Sequence, residues 1–119
     1  MQCTVRSPDE TYFDSEATML VARSDRGEFA VMDGHAPLLA HLLDGLLRVE
    51  TSDGRREFAC FGATLRVEAD TVTVLVEEAV AVSDIDFAAI EARLGETLDE
   101  TSSEHHRLTV LAKLTERHA

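Results

Sequence analysis

The five histidines and two cysteines are the side chains best suited to metal ligation or nucleophilic chemistry. His105 and His106 are adjacent, and neighbours on a helix point about 100° apart, which does not aim two imidazoles at one ion. His35 and His41 have no cysteine or carboxylate at a zinc-binding spacing, so no metal site is expected. Cys3 and Cys60 lie in apolar, strand-like runs, where a thiol behaves as a small hydrophobe with a raised pKa, and free thiols are the expected state. The sequence has no Gly-x-Ser-x-Gly elbow and no glycine spacing that would make a phosphate loop. Its 23 acidic residues are scattered over turns and outward strand positions, as on a solvated face. A small hydrolase is therefore disfavoured, no enzyme activity is expected, and no cofactor is called for.

What remains is recognition, and one stretch is built for it. Phe29–Met32 is an apolar strand run, broken by Gly34-His35-Ala36-Pro37 and resumed by Leu38 and Leu39. Gly34 can take a positive φ, Pro37 fixes its own φ, and Ala36 before it is pushed to an extended conformation. These residues specify a stiff corner that would present His35 to a partner in a fixed pose; the plainer role for His35 is to fill the turn and bond to backbone. The formal net charge of −12 argues against nucleic acid and against direct lipid binding, because phosphates repel such a surface. No run of roughly 18 apolar residues exists and no signal segment is apparent, so neither a membrane span nor export is expected. Contact with a membrane protein stays open.

The elements that would position this corner are short. Cys3-Thr4-Val5 begins a strand that Ser7-Pro8-Asp9-Glu10 ends, Tyr12-Phe13 follow, and Asp14-Ser15 is expected as a second turn. Ala17–Ala22 is apolar on both sides of the strand alternation, the pattern of a strand covered on both faces. Leu46–Glu50 and Arg56–Phe61 flank Asp53-Gly54, a strong hairpin signal, and Leu65–Glu68 and Val72–Val76 flank Ala69-Asp70-Thr71. Many short strands without a long helix between them indicate a β-sandwich or barrel over the first two thirds. After Val82 the period changes: Ser83 or Asp84 caps a helix with Ile85, Ala88, Ala89 and Ala92 on one face, ending near Leu98. Thr101-Ser102-Ser103-Glu104 forms a capping box for a second helix carrying Leu108, Leu111 and Leu114. Two domains are expected, a β domain over 1–82 and a helix-turn-helix over 83–119.

The run Gly27-Glu28-Phe29, then Gly34-His35-Ala36-Pro37-Leu38-Leu39, then Asp44-Gly45, resembles the epsilon subunit family of the bacterial F-type ATP synthase, called delta in mitochondria. The resemblance spans the whole chain and is strongest over 27–49 and 72–79. It implies a β-sandwich of about ten strands followed by a helical hairpin. It also implies a non-catalytic central-stalk subunit that binds the gamma subunit, rests on the ring of c subunits, and couples proton flow to rotation. By position in the family, Glu28, Asp33 and His35 become c-ring contacts, with Glu28 and His35 at the lower end of the sandwich. The spare apolar surface of Met19, Leu20 and Val21 becomes the candidate gamma contact. The implied location is the cytoplasmic face of the bacterial membrane, as a peripheral part of the synthase.

Some departures from the family pattern carry meaning. Gly62-Ala63-Thr64 stands where many relatives have two glycines and an aromatic. Relatives that bind ATP on the hairpin carry a Glu after the residue matching Ala79, and an Ile-Asp-x-x-Arg-Ala run. This chain keeps Ile85-Asp86 but has Val80 and Ala89 in place of the Glu and the Arg. An aliphatic and a methyl cannot replace an acceptor and a guanidinium, so nucleotide binding is expected to be weak or absent. Arg107, Lys113 and Arg117 give the second helix a cationic end that could reach the acidic alpha and beta subunits, though its length argues against full mechanical inhibition of hydrolysis. The alternative reading is a free-standing acidic β-sandwich adaptor whose helical tail docks a partner helix.

Overall fold

The structure is a computed structural model and describes residues 1–85 together with 88, 89 and 110. Among the described residues there are ten strands: β1 (Gln2–Arg6), β2 (Thr11–Glu16), β3 (Met19–Ser24), β4 (Gly27–Met32), β5 (Leu38–His41), β6 (Gly45–Thr51), β7 (Gly54–Phe61), β8 (Thr64–Glu68), β9 (Thr71–Leu75) and β10 (Glu78–Ala81). They make two five-stranded sheets, sheet I in the order β2-β1-β9-β8-β5 and sheet II in the order β10-β7-β6-β3-β4. The pairings are antiparallel except that of β1 with β9. The chain divides into two units, Met1–Val82 and Ser83–Ala119, and the sandwich is the first. A 3-10 turn over Val82–Asp84 follows β10, and Ala88, Ala89 and Val110 are helical. The rest of the expected helical hairpin lies outside the described residues.

Strand alternation decides which side chains enter the core, because directly opposed residues in neighbouring strands point to the same face. In sheet I, Phe13, Val5, Val74 and Leu65 form one inward row, and Cys3, Val72 and Val67 the next. Sheet II answers with the rows Val31-Leu20-Val49 and Phe29-Ala22-Leu47-Phe58. Val5, Leu20, Val31, Val49, Leu65, Val72 and Val74 are all fully buried. Burying each such aliphatic stabilises the fold by roughly 1.5–3 kcal/mol. Phe13 of sheet I meets Phe58 of sheet II edge to face, centroids 6.4 Å apart, and the Arg56 guanidinium lies over both rings at 5.9 and 5.7 Å. This stack closes one open flank of the sandwich.

Three local details differ from the sequence expectation. Asp14 and Ser15 are extended within β2, because Asp14 faces Thr4 and its Oδ1 accepts hydrogen bonds from Gln2 Nε2 at 2.6 Å and Thr4 Oγ1 at 3.2 Å. The β6–β7 hairpin turns on Ser52-Asp53, with Gly54 already paired to Thr51; the Thr51 hydroxyl accepts the Asp53 N–H at 3.1 Å and donates to the Gly54 carbonyl at 2.8 Å. The short strand β10 was not anticipated, and it pairs with the last residues of β7.

Candidate interaction surface

The corner between β4 and β5 is stiff for reasons visible in its bonds. Gly34 has φ of +79°, and the N–H of His35 closes the turn onto the Met32 carbonyl at 3.1 Å. His35 is exposed, with its ring Nδ1 2.7 Å from the Ala36 carbonyl oxygen. Asp33 Oδ1 lies 2.6 Å from the Met1 α-ammonium, which also donates to the Ala17 carbonyl at 3.0 Å and lies 3.2 Å from Glu16 Oε2. The hydrogen bond to Asp33 is the first cause of a raised pKa for that ammonium. The Gly34 N–H points to Asp70 Oδ1 at 3.5 Å, reaching the β8–β9 turn of the other sheet.

Glu28 does not share this corner. It pairs with Arg23 near the β3–β4 hairpin, at the opposite end of β4 from Asp33, about 17 Å away along an extended strand. Its own end of the sandwich also holds the β5–β6 loop, where the Leu43 N–H bonds to the Arg23 carbonyl at 2.8 Å and the Leu43 side chain is 49% exposed. The expectation that Glu28 and His35 lie together at one end is corrected by this geometry: a six-residue strand separates its termini too far for one compact contact.

The Met19, Leu20 and Val21 set is divided as well. Leu20 is fully buried between the sheets beside Val31 and Val49, so it supports the face and is not part of it. Met19 and Val21 point the other way, onto the outer face of sheet II, in rows with Met32 and Ala30 of β4, although Val21 is only 8% exposed there. Met32 is 55% exposed and was missed in the sequence; its register opposite Met19 is what makes it part of the strip. Beyond β3 this face turns charged: Glu50 Oε1 accepts a hydrogen bond from Arg55 Nε at 3.0 Å and pairs with Arg48 Nε at 3.1 Å.

Of the positions bearing on nucleotide binding, Val80 is half-buried on β10 opposite Ala59, Ala89 is exposed, and Asp86 lies outside the described residues. Burial pushes both thiols up to about 12, Cys3 in sheet I and Cys60 in sheet II, and both are free. No group of His, Cys, Asp and Glu among the described residues could hold a metal ion. No helix among them is long and apolar enough to cross a membrane.

Residues 1–82 match the family described as ATP synthase, Delta/Epsilon chain, beta-sandwich domain. The ATP synthase epsilon chain of Acinetobacter baylyi is 37% identical over 120 residues, covering 98% of this chain and 86% of that protein. That of a Psychrobacter species is 40% identical over 78% of this chain and 69% of its own length. That of Xanthomonas euvesicatoria is 38% identical over 76% of this chain, which spans 65% of the Xanthomonas protein. Among solved structures, a chain of the Euglena gracilis mitochondrial ATP synthase superposes with a TM-score of 0.74 at 21% identity, covering 98% of this chain and 79% of that one. A chain of the Tetrahymena thermophila mitochondrial enzyme does so at 0.66 and 18%, covering 98% and 90%. At those identities the likeness is one of fold. The sandwich and the sequence relatives together lead to one conclusion: the chain belongs to the delta/epsilon family, a non-catalytic subunit of the ATP synthase.

Proposed function

We propose that this chain is the rotor subunit that joins the central stalk of a proton-translocating F-type ATP synthase to its membrane ring, so that ring rotation drives ATP synthesis. The observation that carries the reading is the family match over 1–82, the part of the chain that folds as the sandwich. The two solved neighbours come from assemblies described with a c-ring, one of them as central stalk and c-ring. A rotor coupling must transmit torque without slipping, which calls for a close-packed body with two separate contacts. The sandwich supplies a dense core and two candidate contacts on different parts of its surface.

We assign the gamma subunit to the strip of Met19, Ala30 and Met32, with Val21 in the same rows but only 8% exposed. Continuity extends that contact to the adjoining corner: His35 is bonded to Met32, so Asp33 and His35 go with the strip instead of the ring. The c-ring is assigned to the opposite end, where Glu28 and the exposed Leu43 lie beside the β3–β4 hairpin. The subunit is then peripheral, on the cytoplasmic side of the membrane, and touches the membrane only through protein. Residues 101–119 carry the regulatory part of the reading, and deleting them should raise ATP hydrolysis by the assembled enzyme only modestly.

The test is retrieval from detergent-solubilised membranes with the full chain as bait. The wild type should bring down gamma and ring subunits. Met32→Glu should lose gamma, whereas Glu28→Lys combined with Leu43→Glu should weaken ring retention and keep gamma. Undiminished gamma retrieval by Met32→Glu would overturn the assignment of the strip.

A further inference from the structure

Ala69 and Asp70 are the two central residues of the β8–β9 hairpin, flanked by the pair Glu68 and Thr71, and both are left-handed, with φ of +47° and +68°. A two-residue hairpin demands that conformation, and Asn-Gly or Gly-Gly would satisfy it with little strain. Here neither position is glycine, so the turn keeps side chains in a region that L residues rarely adopt. What the second side chain does is visible. The Asp70 carboxylate faces the Gly34 N–H at 3.5 Å, and the Asp70 backbone oxygen accepts the Gln2 N–H at 3.2 Å. Gly34 opens the corner that carries His35, and it belongs to the segment joining sheet II to sheet I.

We infer that Asp70 is a positioning residue for the β4–β5 corner: its carboxylate, held in a left-handed turn, fixes the Gly34 amide and thereby the pose in which His35 meets a partner. Asp suits both demands, since it tolerates the left-handed region better than most residues and supplies an anionic acceptor. Glycine would relax the turn but leave the Gly34 N–H without this acceptor. The corner's other tie, from Asp33 to the Met1 ammonium, acts one residue earlier and leaves that N–H untouched. This inference rests on the reading of the corner as part of the gamma contact, and the two can be tested apart.

The experiment compares Asp70→Gly, Asp70→Asn and His35→Ala in the full chain. Amide hydrogen exchange at Gly34 and His35 is followed by NMR, and affinity for the isolated gamma subunit is measured alongside. In Asp70→Gly the melting temperature should hold or rise, yet the Gly34 amide should exchange about fivefold faster, the loss of one modest hydrogen bond. Asp70→Asn keeps an oxygen acceptor and left-handed tolerance and should restore most of the protection, which loss of a merely structural residue would not distinguish. Unchanged Gly34 exchange in Asp70→Gly overturns the inference. If exchange rises but neither Asp70→Gly nor His35→Ala weakens gamma binding, Asp70 positions the corner as inferred and the docking reading of the corner fails.

Discussion

The two sheets of the sandwich have similar inner faces and dissimilar outer ones. On the outside of sheet I the row Asp14-Thr4-Thr73-Arg66-Leu39 is mostly hydroxyl and charge, and Arg66 there is paired with Glu68 at 3.0 Å. On the outside of sheet II the rows Met32-Met19 and Ala30-Val21 pass into the charged pairs Glu50-Arg55 and Arg48-Glu57, while Leu46-Ala59-Val80 is a separate apolar row in which Ala59 is fully buried. A two-layer fold needs one apolar face per sheet to make its core. Apolar residues on the second face of a sheet are surplus to that need, and they occur on both: Leu39 and Leu75 outside sheet I are 68% and 52% exposed, and Met32 outside sheet II is 55% exposed. What sets sheet II apart is that Met19, Ala30 and Met32 stand together in adjacent rows, and the proposed partner face rests on that grouping.

The sharpest test sets two neighbours on one strand against each other. Leu20→Glu buries a carboxylate amid Val31 and Val49 and should destabilise the fold by more than about 4 kcal/mol, leaving no cooperative thermal transition. Met19→Glu, one residue earlier and facing outward, should shift stability by about 1 kcal/mol or less while removing gamma from the retrieved complex. Comparable melting for the two variants would erase the distinction between inner and outer faces of β3.

These particular residues show how far the sequence could be read. The inner rows were legible wherever polar residues alternate with apolar ones, as in Thr64–Glu68 and Thr71–Leu75. Met19-Leu20-Val21 has no polar member to break the symmetry, so the period could not say that Leu20 points in; pairing to β4 and β6 decides it. The positions of Glu28 and His35 were misjudged for a related reason. Seven residues is a short separation in sequence, but an extended strand turns it into opposite ends of the body. Strand β10 escaped notice because Glu78-Ala79-Val80-Ala81 is too short to show a period, and its pairing with β7 is a long-range fact. The stiff corner itself was legible because Gly34 and Pro37 act locally.

The inner faces should behave alike under alkali, even though the outer ones differ. Cys3 and Cys60 stay neutral in the folded protein up to about pH 12, since burial disfavours the thiolate, whereas in the unfolded chain they ionise near the ordinary value of 9. The unfolded state is thus favoured progressively as pH climbs from 9 to 12, and the stability present below pH 9 falls by on the order of 4 kcal/mol for each thiol. Denaturant midpoints measured across that window should decline, and the decline should largely vanish in the Cys3→Ala, Cys60→Ala double variant. A flat profile for the wild type would show that the thiols are not buried as described.

A smaller effect is expected at the flank where the sheets meet. Arg56 of sheet II covers both Phe58 of its own sheet and Phe13 of sheet I, so Arg56→Ala removes a cation–π contact and the cover of its methylene stem. The loss should be about 1 kcal/mol, read as a fall in melting temperature of roughly 5 °C. Arg56→Lys should recover part of it, because the ammonium keeps the charge but cannot stack. If both variants melt with the wild type, the flank is closed by Phe13 and Phe58 alone.

The smallest expected effect bears most directly on the contrast between the outer faces. Thr73 lies on the outside of sheet I between Thr4 and Arg66, so Thr73→Glu places a carboxylate beside a guanidinium on a surface that already carries charge. Its effect on stability should stay within about 0.5 kcal/mol, as for most surface substitutions. Retrieval of gamma and of the ring should match the wild type, whereas the same charge introduced at Met32 should abolish the first. Loss of gamma from the Thr73→Glu bait would mean that the hydroxyl-rich sheet is the one that meets the stalk, and that the apolar strip on sheet II must be covered by something else.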